Sequence, residues 1–186
     1  MHHEFGATGP QHVHVELQSG DVDVDTSEQP LVTVDVDGEG AEEVRVERTD
    51  SGIEVHGPRR TGFLQSSRSY RIRLRVPVDS DLSTRLGSAS VTTRGRLGAL
   101  HLTSGSGDVD VEEARTATVK TGSGDITLGV VAEDAEVKAG SGDVRVRAVG
   151  HAARVVTGSG DVDIDLSSIP FGDTPGGRGR GLRGWV

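Results

Sequence analysis

No cysteine occurs in the 186 residues, which excludes a disulfide framework, Cys-ligated zinc and thiol catalysis. Aromatic residues are almost as scarce. Phe5, Phe63, Tyr70, Phe171 and Trp185 make up the whole 3%, so a thick core built on large rings is excluded too. Hydrophobic residues of every kind reach only 33%, against about 45–50% with glycine counted in an ordinary globular chain. No apolar run approaches the roughly 18 residues of a membrane-spanning helix. Positive charge is the minority sign, 20 Lys and Arg against 29 Asp and Glu for a net charge of −9. That balance argues against a folded body that binds nucleic acid. No P-loop, dinucleotide fingerprint, nucleophile elbow or His-Glu-x-x-His motif is present. The start, Met1-His2-His3-Glu4-Phe5, has neither the charged onset nor the apolar stretch of a secretory signal. The expectation is a cytoplasmic protein, with membrane-associated or cell-envelope placement as the alternative.

What the chain has in excess is glycine, 27 residues, and much of it falls in a repeat. Gly-Ser-Gly-Asp-Val/Ile stands at 105–109, 122–126, 140–144 and 158–162, after a degenerate copy, Gly-Ser-Ala-Ser-Val, at 87–91. Measured at their fourth residue the copies are 18, 17, 18 and 18 residues apart. Self-similarity at a fixed period marks one supersecondary unit used repeatedly. After each turn one column reads Val91, Val109, Ile126, Val144, Val162, and two residues on another reads Thr93, Val111, Leu128, Val146, Ile164. The positions between are polar: Thr92, Asp110, Thr127, Arg145, Asp163. This is the period-two pattern of a half-buried strand. A second strand per unit carries Leu82, Leu100, Ala117, Ala135, Ala153 and then Thr84, Leu102, Val119, Val137, Val155. The two strands are separated by the Gly-Ser-Gly-Asp turn and by a looser one such as Glu112-Glu113-Ala114-Arg115.

A meander of hairpins and a solenoid both fit two strands per unit. The constant spacing and in-register columns favour the solenoid, in which each column residue lies about 4.8 Å from its own copy. A hexapeptide helix fails, because from Val109 it demands apolar residues at Arg115 and Thr121. The expected fold is therefore all-β, a right-handed parallel β-helix-like solenoid with coils of about 18 residues. Glycine serves the tight corners, Ser and Asp hold them through local hydrogen bonds, and Val, Leu, Ile and Ala fill a thin core. Outward charges alternate in sign across coils: Arg145 and Arg147 beside Asp163 and Asp165, and Glu136 beside Arg154.

The N-terminal half is strand-rich but irregular, with Gln18-Ser19-Gly20-Asp21-Val22 as an early echo of the repeat. Alternating runs at 12–17, 31–37, 43–48, 52–56 and 69–76 are divided by turn signals. The chain thus divides into an N-terminal arm (1–10), an irregular β cap continuous with the solenoid (11–76), the regular repeats (77–171) and a disordered Gly/Arg-rich tail (172–186). The stretch 57–68 reads as a long loop, and Ile169-Pro170-Phe171 as a plug across the last coil.

With the repeat in view, the chain resembles a known family. Val76-Pro77-Val78-Asp79-Ser80-Asp81-Leu82, followed by Arg94-Gly95-Arg96-Leu97-Gly98-Ala99-Leu100 and the first full Gly-Ser-Gly-Asp, is similar to the bacterial β-strand-repeat proteins called putative adhesins, of the toast-rack superfamily. The actinobacterial members without a leader are the most similar. The resemblance runs over about 11–166. It implies a right-handed β-helix-like fold, no catalytic residues to carry over, and an association with bacterial envelopes and envelope-stress signalling.

Sharper chemistry has candidates. Calcium needs clustered carboxylates, and Asp108, Asp110, Asp161 and Asp163 are the residues to test. The second carboxylate of the motif does not repeat, since Thr127 and Arg145 fill its column, so a structural turn Asp is the better reading. Asp161-x-Asp163-x-Asp165 offers three acids to a glycan-cleaving site, though strand alternation alone puts them there. His12 and His14 share a strand face near His2-His3-Glu4, but no spacing in the sequence supplies a third zinc ligand. His101 and His151 stand alone. Arg178, Arg180 and Arg183 in the tail offer an electrostatic contact to nucleic acid or acidic surfaces, with an intramolecular or solvated role as the alternative. The expectation is a non-enzymatic scaffold or protein-interaction module, without catalytic, cofactor or metal residues. Its protein partner is unidentified and self-association is an option. A carbohydrate-active parallel β-helix enzyme and a calcium-stabilised module are the alternatives.

Overall fold

The structure is a computed structural model and describes residues 1–58 and 69–165. The expected loop at 57–68 with its Phe63-Leu64, the plug at 169–171 and the tail with its arginines lie, but for Gly57 and Pro58, outside the described residues. The strands in chain order are β1 (His2–Gly6), β2 (His12–Ser27), β3 (Leu31–Asp37), β4 (Arg45–Thr49), β5 (Gly52–His56), β6 (Tyr70–Pro77), β7 (Asp81–Ser106), β8 (Val109–Ser123), β9 (Ile126–Val131), β10 (Asp134–Ser141), β11 (Val144–Val149), β12 (Ala152–Ser159) and β13 (Val162–Ile164).

Coils stack in parallel and in register. Val91 pairs with Val109, Val109 with Ile126, Ile126 with Val144 and Val144 with Val162. On the other side of the coil Leu100 pairs with Ala117, Ala117 with Ala135 and Ala135 with Ala153. The ladders form two arms. One holds β4, β5, the first half of β2, the two ends of β7, the second half of β8, β10 and β12. The other holds β1, β3, β6, the second half of β2, the middle of β7, the first half of β8, β9, β11 and β13. Strands β2, β7 and β8 run unbroken through the corner between the arms, so the hydrogen-bonded network is continuous. The protein is an all-β solenoid, and its first coil is β2, whose Val13 and Val22 pair with Leu82 and Val91 of β7.

Between the arms lies one apolar cluster, in which Val15, Val24, Leu97, Leu100, Val119, Ile126 and Leu128 are fully buried. Burial of each such side chain contributes roughly 1.5–3 kcal/mol. At the N-terminal end the stack closes by reversing strand direction: β3 runs antiparallel to β6, β1 to β3, and β4 to β5.

Two expectations need correction. The stretch 112–115 is not a turn outside the sheet, because β8 continues through it and Ala114 is completely buried. Ala114 belongs to a third core column, with Leu97 and Val131. Its spacing of three from Val111, where strand alternation gives two, hides it. The bend is visible in β7 as a register slip between Thr93 and Arg96, where Gly95 adopts φ 78°. The expected strand at 43–48 begins later, at Arg45, because Ala41–Glu43 forms a 3-10 turn.

The inside and outside of the stack are tested by one pair of variants. Ile126 is fully buried and Asp110 is exposed. Ile126→Asp places an unpaired carboxylate in the core and should cost several kcal/mol, about 3 or more. Asp110→Ala should stay within about 0.5 kcal/mol. Denaturant unfolding of both reads the difference, and equal small effects contradict the assignment.

Candidate functional site

The repeat motif itself is accounted for by stacking. At the second glycine of each turn the backbone has φ of 128° at Gly107, 117° at Gly124, 119° at Gly142 and 122° at Gly160. A Cβ at Gly124 would overlap the Gly107 carbonyl oxygen of the coil before, so glycine is required twice over. The Asp that follows links coils: the Asp125 N–H donates to Asp108 Oδ1 at 3.0 Å, Asp143 N–H to Asp125 Oδ1 at 2.9 Å, and Asp161 N–H to Asp143 Oδ1 at 3.0 Å. In the degenerate first copy Ser90 takes the role, accepting from Asp108 N–H at 3.3 Å. The Asp108, Asp125 and Asp143 carboxylates thus each accept a backbone N–H through one oxygen. Of the proposed calcium ligands, Asp108 and Asp161 stand three coils apart in this ladder. Asp110 and Asp163 are separated in the second arm by Thr127 and Arg145, a span of about 14 Å at 4.8 Å per strand. The four do not come together.

The lead-in Val-Pro-x-Asp-x-Asp-Leu is a latch. Asp79, at φ 64°, accepts from Arg96 Nε at 2.6 Å and from the terminal guanidinium nitrogen at 2.8 Å. That pair holds the Asp79 carboxyl below its usual range, chiefly through the hydrogen bond. Ser80 is fully buried, and its Oγ accepts the Gln11 N–H at 2.9 Å. Asp81 Oδ1 accepts the Ala99 N–H at 2.6 Å.

Two outward surfaces bring charged groups together. On the first arm His14 lies opposite Glu54, and Glu16 opposite His56. His56 Nε2 is 3.0 Å from Glu54 Oε2 and Nδ1 is 3.5 Å from Glu16 Oε2; the His14 and His56 rings are 5.8 Å apart. A shallow cavity of about 310 Å³ runs past His12, His14, Glu54 and His56, and another of about 580 Å³ past Glu16, Arg45, Glu47 and His56. Burial, and then the nearby His56, push the His14 pKa down. The hydrogen bond from His56 pulls Glu54 down. His2-His3-Glu4 is elsewhere, on β1 in the second arm, where Asp35 at 2.6 Å and Glu4 at 3.1 Å raise the His2 pKa. Among the described residues no three His, Asp or Glu are placed to hold a metal ion.

The second surface is a charge zipper. Arg71, Arg73 and Arg75 project from β6 between Asp21, Asp23 and Asp25 of β2 on one side and Asp35 and Asp37 of β3 on the other. Arg71 reaches Asp21 at 3.4 Å, Arg73 reaches Asp37 at 3.1 Å, and Arg94 of the next coil reaches Asp25 at 3.5 Å. A depression of about 340 Å³ lies among Asp21, Asp23, Arg71, Arg73, Ser90 and Thr92. Alternation in Asp-Val-Asp-Val-Asp and Arg-Ile-Arg-Leu-Arg signals each row, but nothing in the sequence says that the rows meet. The charge neighbours expected further along are side by side in register, Arg145 with Asp163 and Glu136 with Arg154. Glu136, however, makes its close contact with Lys138 of its own strand at 2.7 Å, and this lowers its pKa. His101 and His151 are exposed.

Fold and surfaces together define a β-repeat module built of parallel stacked coils. Residues 10–172 match the family model Toastrack DUF4097, and the chain belongs to that family. Among solved structures it is similar to a protein of Clostridium sporogenes described as a putative cell adhesion protein, with 11% identity, a TM-score of 0.46, and 90% of this chain and 99% of that one covered. A putative adhesin of Bacteroides fragilis is similar at 10% identity and a TM-score of 0.37, covering 88% and 96%. A protein of Parabacteroides distasonis described as a putative lipid binding protein follows at 9% identity and a TM-score of 0.31, covering 90% and 94%. No curated protein matches the chain. Among the described residues no helix is long and apolar enough to cross a membrane.

The aspartate ladder and the two histidines can each be tested. Asp125→Asn keeps an acceptor for the Asp143 N–H and should leave the melting midpoint nearly unchanged, whereas Asp125→Ala loses the bond and should cost about 1 kcal/mol; neither midpoint should move between calcium and chelator. For pH, a lowered folded pKa at His14 means that the unfolded chain takes the proton first. Acidification from about pH 7.5 to 5.5 therefore removes stability through His14, and His14→Gln should lessen that loss. His2 acts oppositely, since its raised pKa contributes stability below the unfolded value that is lost as pH rises through the folded one, so His2→Gln should deepen the loss on acidification. Melting curves at the two pH values read both signs.

Proposed function

We propose that the protein is a non-enzymatic interaction scaffold whose partner-reading surface is the charge zipper of β3, β6 and β2, working in envelope-stress signalling in the cytoplasm. The observation that carries this reading is the row Arg71, Arg73, Arg75 held between two acidic rows on a rigid stack. Side chains fixed in advance lose little freedom when a partner binds, and alternating rows of charge select a partner by complementarity more than by area. The ion pairs involved are about half exposed, so each contributes only about 0–1 kcal/mol to folding. Their arrangement is available for recognition at small cost in stability.

The experiment is a capture from envelope-stressed cells with the intact chain and with Arg71→Gln/Arg73→Gln/Arg75→Gln. The expected result is a specific protein retained by the first and lost by the second, with melting midpoints within a few degrees of each other. Equal capture by both removes the zipper as the reading surface. Turnover of a glycan by the purified chain would replace the scaffold reading with the enzymatic one.

A further inference from the structure

The two ends of the stack differ. At the N-terminal end the core is closed: Val32, Val34 and Val36 are completely buried and Val44 is 3% exposed. At the other end, among the described residues, β12 pairs only with β10 and β13 only with β11. The core columns that are sealed one coil earlier, with Val144 at 0% and Val137 at 0%, emerge here, and Val162 is 45% exposed. Val155 and Ile164 are partly buried and Ala153 lies in the same apolar columns. Strand edges and apolar columns open together form a surface that another strand pair can continue.

We propose that this end docks on the same end of a second copy of the chain, β12 of each against β13 of the other, antiparallel. Charge selects this pairing. Arg154 projects outward from β12 and Asp163 from β13, as their ladder neighbours Glu136 and Arg145 do. Matching β12 to β12 and β13 to β13 would oppose arginine to arginine and aspartate to aspartate. Crossed pairing sets Arg154 against the partner's Asp163. That same antiparallel register sets Val155 against the partner's Val162 and Ala153 against the partner's Ile164, so apolar meets apolar in both core columns and the small Ala153 faces the larger Ile164. One register thus satisfies outward charge and inward apolar contact together. The contact is isologous and closes after two copies. Its cross-section, about 10 Å between arms by one short strand, is small against the roughly 800 Å² per partner of a stable complex. The dimer is accordingly weak, with a dissociation constant on the order of 100 μM.

Sedimentation equilibrium of the full chain from about 10 μM to about 1 mM brackets that constant. The expected result is a monomer–dimer equilibrium with no larger species. Arg154→Asp and Asp163→Arg should each weaken it about tenfold or more. An equimolar mixture of the two variants should associate as the unaltered chain does, because each then faces opposite charge at both pairings. Circular dichroism of each variant confirms that the coils remain folded, and the mixture keeps the test valid if one variant alone is slightly destabilised. A full chain that stays monomeric to about 1 mM overturns the proposal and gives that end to residues beyond Asp165 or to another protein. Open-ended growth with concentration also overturns it, in favour of head-to-tail stacking, as does a mixture that fails to restore association.

Discussion

Everything in this molecule answers to one constraint, the in-register contact of each coil with the coil before it. Parallel strands about 4.8 Å apart leave no room for a side chain at the corner, and there the backbone of one turn rests on the carbonyls of the previous one. The sequence is most uniform where that contact is tightest. Gly107, Gly124, Gly142 and Gly160 share one conformation, and the Asp beside each accepts or donates a hydrogen bond along the ladder. Outward positions of the same coils, such as Asp110, Thr127 and Arg145, differ freely. On the strands stacking also explains that freedom, because an identical charge in every coil would set like charges opposite one another, a cost the turn aspartates offset by accepting the N–H of the next coil.

The same contact decides the core. A column that repeats must fill the same width in every coil, so one large residue demands compensation by its neighbours in the stack. Leu82 and Leu100 give way to Ala117, Ala135 and Ala153 in one column, while Val119 and Val137 follow Leu102 in the next. Large aromatic rings would force the arms apart at every coil. Tyr70, which is nearly buried, stands at the start of β6 on the cap side of the repeats, where its neighbours are not copies of itself.

The stacked coils were legible in the sequence because stacking writes itself as a period, and the columns from Val91 and Leu82 onward fall as the spacing predicts. The third column, Leu97, Ala114 and Val131, was not, since the bend consumes an extra residue and breaks the alternation that reveals buried positions. The surfaces were legible only by halves. His12 and His14 could be seen to share a face, but His56, Glu54 and Glu16 join them through a parallel pairing between β2 and β5 across a gap of forty residues in register, Val13 with Ile53. The three arginines of β6 likewise advertise an alternating strand and conceal its neighbours. Period encodes contact between copies; contact between unlike strands leaves no such mark.

A parallel stack cannot end as it continues, because its last coil presents unpaired backbone and a cut through the core. The N-terminal end solves this by turning the chain around. Strands β1, β3 and β4 run against their neighbours, which frees them from the repeat and lets them carry residues suited to an outer edge. Arg48 then joins the two caps, its guanidinium donating to the Gly6 carbonyl at 2.6 Å and to Gln11 Oε1 at 3.4 Å. The bond ties β4 of one arm to the end of β1 in the other. The described strands at the opposite end keep the direction of the stack to the last, so among the described residues one end is closed by chain reversal and the other by strands that run as every coil before them does.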